Sequence, residues 1–122
     1  SNSSPNVYLG IEIFDCAVSF QTMHHFSHNE KLSLYKNIYN ALKNGGMYIE
    51  GDYMAKSQFE EDFYYAENAR LRKKQNIPDG QFCHYDTPCT VENQIKLLLD
   101  AGFSNVENIF HQGNTVILIA YK

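Results

Sequence analysis

One stretch limits the folds open to this chain more than any other. An apolar run, Asp15-Cys16-Ala17-Val18-Ser19-Phe20, leads through a helix-shaped segment and the glycine turn Leu42-Lys43-Asn44-Gly45-Gly46 into a second run, Met47-Tyr48-Ile49-Glu50-Gly51-Asp52-Tyr53. The first run is apolar enough to be buried on both faces, as a central parallel strand is. Ser27-His28-Asn29-Glu30 reads as a capping box, in which the hydroxyl and the carboxylate each satisfy a free backbone donor. Leu32, Leu34, Tyr35, Ile38, Tyr39 and Leu42 then recur at helical spacing until Gly45-Gly46 stops the helix. Strand, helix and strand with short joints make a βαβ unit, whose right-handed crossover leaves the strands parallel. In such a sheet ligands meet the carboxyl ends of the strands. The polar residues collect there: Ser19, Gln21, Thr22, His24 and His25 at the exit of the first strand, with His28 shortly after, and Asp52 and Tyr53 at the end of the second.

Around this unit the rest of the chain supplies simpler elements. Residues 6–13 alternate weakly and predict a short strand or an extended lead-in. A helix is expected from Gln58 to about Gln75, with Phe59, Phe63 and Tyr64 on one stripe and charges elsewhere, in the manner of a lid or side helix. Ile77-Pro78-Asp79-Gly80 breaks the chain, a loop covers Phe82 to Pro88, and Thr90 caps a helix that runs through Leu99 and ends near Gly102. Val106–Phe110 and Thr115–Tyr121 are strands joined around Gly113-Asn114, a hairpin signal that makes the last pair antiparallel.

At 122 residues the chain is expected to be a single domain, residues 1–122, large enough to bury roughly two thirds of the surface its unfolded form exposes. The first five residues are set aside as a flexible start that a cloning scar would explain. A hydrophobic content of 43% and a charged content of 20% suit a globular protein and argue against disorder. No segment reaches the roughly 20 apolar residues of a membrane span. The net charge of −4 gives no footprint for nucleic acid, and the local cluster Arg70, Arg72, Lys73, Lys74 suits the carboxyl end of a helix. Three cysteines, Cys16, Cys83 and Cys89, form no paired framework, which fits a reducing, cytoplasmic setting.

The order of parts resembles the C-terminal half of a class I S-adenosylmethionine-dependent methyltransferase over residues 14–122. Its carriers are Phe14 to Ser19, the His24-His25-Phe26 exit, Leu42-Lys43-Asn44-Gly45-Gly46 where the family often has Lys-Pro-Gly-Gly, and Leu98-Leu99-Asp100-Ala101-Gly102-Phe103-Ser104-Asn105-Val106. The resemblance implies an α/β fold, a truncated Rossmann-like sheet holding the family's fourth, fifth, seventh and sixth strands in that spatial order, the last of them antiparallel to its neighbours. It also implies S-adenosylmethionine as cofactor, with Ser19, Phe20, Gln21 and His24 along its methionine side, and a small-molecule acceptor. The family's first three strands have no counterpart here and no Gly-x-Gly loop occurs in the chain, so weak or absent cofactor binding, and an inactive isolated chain, are expected.

His24 and Asp52 are the candidates for a base, because methyl transfer to a hydroxyl or protonated amine needs a proton removed. His25, Tyr53, Phe59 and Phe63 are the candidates for holding the acceptor. Asp15, at the far end of its strand, is read as structural. A zinc site from His24, His25 and His28 with Cys83, His84 and Cys89 lacks the usual ligand spacing, so no metal is expected. Cys16, inside a buried strand, is a poor nucleophile. The competing reading is a non-catalytic interaction module: a sheet cut at its first strand exposes an apolar edge, which calls for the lead-in, a second copy, or a complementing N-terminal half.

Overall fold

The computed structural model describes residues 9–74 and 87–122. The start of the lead-in (residues 6–8), the break at Ile77 to Gly80, Cys83, His84 and most of the loop from Phe82 fall outside these residues. Four strands form one sheet, β1 (Phe14–Phe20), β2 (Leu42–Tyr53), β3 (Asn105–Gln112) and β4 (Thr115–Tyr121), in the spatial order β1-β2-β4-β3. β1 and β2 are parallel, with Cys16 opposite Met47 and Phe20 opposite Gly51, while β4 runs antiparallel to both β2 and β3. This is the mixed α/β arrangement that the strand-helix-strand unit and the closing hairpin predict.

Helix α1 (His28–Ala41) opens on the expected capping box, with Ser27 Oγ accepting from the Glu30 amide and Glu30 Oε1 from the Ser27 amide. Helix α3 (Val91–Ala101) starts from Thr90, whose hydroxyl accepts from the Asn93 amide. Both lie on one face of the sheet. Val116, Leu118 and Ala120 of β4 point into that face and are fully buried, against Tyr35 and Ile38 of α1 and Leu98 of α3. Alternation along β4 sends Ile117 and Ile119 to the opposite face, where they are only half-buried. Helix α2 (Gln58–Lys74) stands beside the carboxyl rim and buries Glu61 alone.

The structure corrects three expectations. β1 is not buried on both faces: it is the outermost strand of the described residues, so Val18 and Phe20 are 67% and 62% exposed. Cys16 is accordingly exposed. The lead-in, where described, does not cover that edge; the amides of Glu12 and Ile13 donate to the carbonyls of Asn40 and Ala41, crossing the end of α1 instead. The helix also ends earlier than the glycines, at Ala41, and β2 begins at once with Leu42.

The glycines serve the strand rather than the helix. Between the pairs Phe14–Leu42 and Cys16–Met47 the register slips, and Gly45, at φ +84°, turns the chain within that bulge. At Gly46 a Cβ would lie 2.9 Å from both the Asp15 and the Lys43 carbonyl oxygens, which are backbone and cannot step aside. Gly46→Ala is therefore expected to cost about 1–3 kcal/mol. Chemical denaturation checks this, and an unchanged midpoint would show that the bulge yields freely.

Candidate active site at the strand rim

The exit of β1 is built by backbone before side chains enter. Gln21 adopts a left-handed conformation at φ +55°, its amide donating to the Gly51 carbonyl at 2.8 Å, and the chain then makes one tight 3-10 turn over Met23–His25. Met23 is buried and anchors the turn in the core. The segment after α2 straps it from outside: the Thr87 amide donates to the His24 carbonyl at 2.6 Å and the Thr87 hydroxyl to the Phe26 carbonyl at 2.8 Å.

Asp52, at the end of β2, holds the turn from within. Its Oδ2 accepts from the His24 amide at 2.8 Å, while its Oδ1 accepts from His24 Nδ1 at 2.7 Å and from the Tyr53 amide at 2.8 Å. The Asp52 side chain is 2% exposed and that of His24 11%. A carboxylate can only accept, so the proton between them sits on His24 Nδ1, and in the neutral imidazole Nε2 is the basic nitrogen. The imidazole sits between the His25 ring, 4.1 Å away, and the Tyr53 ring, 6.0 Å away. The Tyr53 hydroxyl hydrogen-bonds that of Tyr64, which ties the rim to α2.

Directly beneath lies a second carboxyl, Glu50, that sequence reasoning passed over. Its Oε1 accepts from the hydroxyls of Tyr35 and Tyr48, and its Oε2 from Gln94 Nε2 at 2.6 Å. Tyr48 in turn shares a hydrogen bond with Ser19 Oγ at 2.6 Å. Burial pushes the Glu50 carboxyl above its ordinary range, opposed by the hydrogen bonds from Tyr35, Tyr48 and Gln94, with nearby Asp52 adding to the rise. The same burial, with Glu50 beside them, raises both tyrosines well above theirs.

The structure thus brings His24, His25, Asp52 and Tyr53 together. Ser19 faces inward, its hydroxyl engaged by Tyr48, so at the rim it offers backbone. Phe20 and Gln21 are exposed beside it. Phe59 and Phe63 stand on α2 82% and 55% exposed, and the α2 ring that reaches the rim is that of Tyr64. Two signals for the missed residues were present: Glu50 directly follows the apolar Met47-Tyr48-Ile49, and Lys31, now fully buried, falls on the same helical stripe as Tyr35 and Ile38.

No family model matches the sequence, and no curated protein matches it. Solved structures do. A putative O-methyltransferase from Nostoc punctiforme aligns with 93% of this chain at 21% identity and a TM-score of 0.63. Human N-acetylserotonin methyltransferase, solved with S-adenosylmethionine, aligns with 93% at 16% identity and 0.61. A Thermotoga maritima methyltransferase described as a possible histamine N-methyltransferase aligns with 96% at 21% identity and 0.59. The chain spans 32%, 31% and 60% of those proteins. With its β1-β2-β4-β3 order and its reversed β4, the chain carries the fold of the C-terminal half of a class I S-adenosylmethionine-dependent methyltransferase.

Proposed function

We propose that this chain is the C-terminal portion of an S-adenosylmethionine-dependent methyltransferase for a small-molecule acceptor, in which His24 takes the acceptor's proton and Asp52 holds His24 for that task. The observation that carries the reading is the double clasp of Asp52 on the amide and Nδ1 of His24, at the carboxyl ends of two parallel strands. A histidine oriented by a buried carboxylate is the arrangement a general base requires.

The residues present fit one end of the cofactor. Phe20 offers an exposed ring, Gln21 an exposed side chain on a backbone already turned outward, and Ser19 its backbone, with His24 alongside. When bound, S-adenosylmethionine supplies a methyl group made electrophilic by its sulfonium. The chain's own work is then to place the acceptor, exclude water and move one proton, and placement alone supplies much of the rate. His25 and Tyr53 flank His24 and would position the acceptor, with Phe59 and Phe63 of α2 contributing apolar cover. Asp52 serves as the positioning residue rather than as a second base, since all its described bonds are spent on His24 and Tyr53.

A second reading rests on the open side of β1. Ile13, Phe14, Val18 and Phe20 are exposed there, beside an apolar recess of about 270 Å³ lined by Leu9, Phe14, Ala17, Val18 and Ile38 among others. An unpaired apolar strand of this kind recruits another. It supports a complementing N-terminal half or a second copy on this edge, and with it a non-catalytic dimerising or interaction module. No helix among the described residues is long and apolar enough to cross a membrane. We place the protein in the cytoplasm on the free thiols of Cys16 and Cys89.

Calorimetric titration of the purified chain with S-adenosylhomocysteine separates the pieces of this reading. Without a complementing half we expect no heat at micromolar concentration. A micromolar dissociation constant would overturn the dependence on a second half while strengthening the cofactor assignment.

A further inference from the structure

We propose that His28, Glu61 and Cys89 bind a zinc ion that pins α2 and the strap before α3 onto the start of α1. Their donor atoms come from three separate segments and lie within 4.8 Å of one another. His28 Nε2 is buried and stands 3.1 Å from Glu61 Oε2, yet it makes no hydrogen bond. Protonated, the imidazole pairs with the carboxylate as an ion pair; deprotonated, it would present its lone pair beside that oxygen, with Cys89 Sγ within 4.8 Å of both, as ligands sharing a cation do. In a tetrahedral zinc site the donors stand roughly 3.2–3.8 Å apart, so the imidazole and carboxylate are already in place and the sulfur closes by about 1 Å.

The surroundings suit this use. Glu61, 1% exposed, is fixed by the Thr90 amide at 2.7 Å, by Asn93 Nδ2 at 3.0 Å and by Gln58 Nε2 at 3.1 Å, the outer hydrogen bonds that orient a ligating carboxylate. Lys31 Nζ donates to Cys89 Sγ at 3.1 Å and to the Thr87 carbonyl at 2.9 Å. A donor on sulfur favours the thiolate that a metal needs, and a thiolate beside Glu61 leaves a negative excess that Lys31 alone does not offset. Thiolate with imidazole and carboxylate is a donor set for zinc rather than for magnesium or calcium. With three protein donors the fourth position of a tetrahedral site would fall to a water, entering beside the His28 side chain, which is 42% exposed. This set is not the one sequence spacing suggests, because Glu61 reaches it only through the packing of α2.

Cobalt(II) added to the purified, metal-free chain tests the site. The expected result is a near-ultraviolet sulfur-to-cobalt charge-transfer band that zinc abolishes, that is lost in Cys89→Ser, and that needs at least about tenfold more cobalt in His28→Ala and in Asn93→Ala. Absence of the band at saturating cobalt overturns the proposal, as does a band that survives Cys89→Ser, which would belong to another cysteine. Should Cys89→Ser fail to fold by circular dichroism, His28→Ala decides: its side chain is 42% exposed, and an unchanged cobalt affinity there overturns the site.

Discussion

Replacing His24 by alanine lowers the turnover of a methyltransferase containing this segment by about 10²–10⁴-fold while leaving the acceptor's KM nearly unchanged. The expectation follows from the tautomer that Asp52 imposes: with the proton on Nδ1, Nε2 is the nitrogen able to take a proton as the acceptor atom attacks. Alanine removes that lone pair together with a ring packed against His25, while the turn stays clasped by the bond from the His24 amide to Asp52 and by Thr87 on its carbonyl. The assay belongs on the longer polypeptide or on the chain with a complementing half. A turnover within a few-fold of the parent would remove His24 from the chemistry.

Asp52→Asn sharpens the same test. The amide can still accept from one backbone N–H, but the atom facing His24 Nδ1 becomes a donor, so the imidazole turns to the tautomer protonated on Nε2. Turnover then falls with the side chain of His24 still present, which a purely space-filling role for the histidine would not produce.

Which features could be read in the amino acids follows from the range of the forces behind them. The capping box at Ser27, the cap at Thr90 and the hairpin at Gly113-Asn114 are fixed by residues within a few positions, and each stands in the structure as expected. The parallel pairing of β1 and β2 follows from their short crossover. The burial of β1 does not, because burial depends on what lies on both sides of a strand, and apolar residues such as Val18 report only what the strand suits. Local pattern also misplaces the end of α1: two adjacent glycines suit a helix stop, whereas here their backbone freedom serves a bulge in close contact with the Asp15 and Lys43 carbonyls. His24 and Asp52 could be placed on one rim from strand direction, but their mutual bonds depend on the left-handed Gln21, a residue type with no strong preference for it. The partners of Glu50 and Glu61 are hidden for a different reason. A buried carboxyl is recognised by its donors, and those come from Tyr35, Gln94, Thr90 and Asn93, elements distant in the chain.

Glu50→Ala is expected to destabilise the fold by about 3–5 kcal/mol, because it takes the shared acceptor from two tyrosine hydroxyls and an amide in the core, at about 1–3 kcal/mol each with incomplete additivity, and leaves them only their bonds to Ser19 and to one another. Glu50→Gln should cost far less, under about 1 kcal/mol, since its carbonyl still accepts from a tyrosine. Its new amide can also donate to Gln94 Oε1, which is buried without a hydrogen-bond partner, once Gln94 turns over. The two variants separate packing from charge, and pH completes the separation. Burial raises the folded carboxyl above the unfolded value of 4.5, so between these two values the native state binds more protons than the unfolded chain. Stability must therefore fall as pH rises from about 4.5 through the folded value, and Glu50→Gln must lose that slope. Glu61 acts on the other side. Burial alone would raise it, but hydrogen bonds from Asn93, Thr90 and Gln58, with His28 nearby, together bring it below 4.5, so its contribution is lost only as pH drops beneath that value. Denaturant midpoints measured across both windows distinguish the two carboxyls, and a Glu50→Gln variant that retains the alkaline-going loss would place its origin elsewhere than in the Tyr35-Tyr48-Gln94 cage.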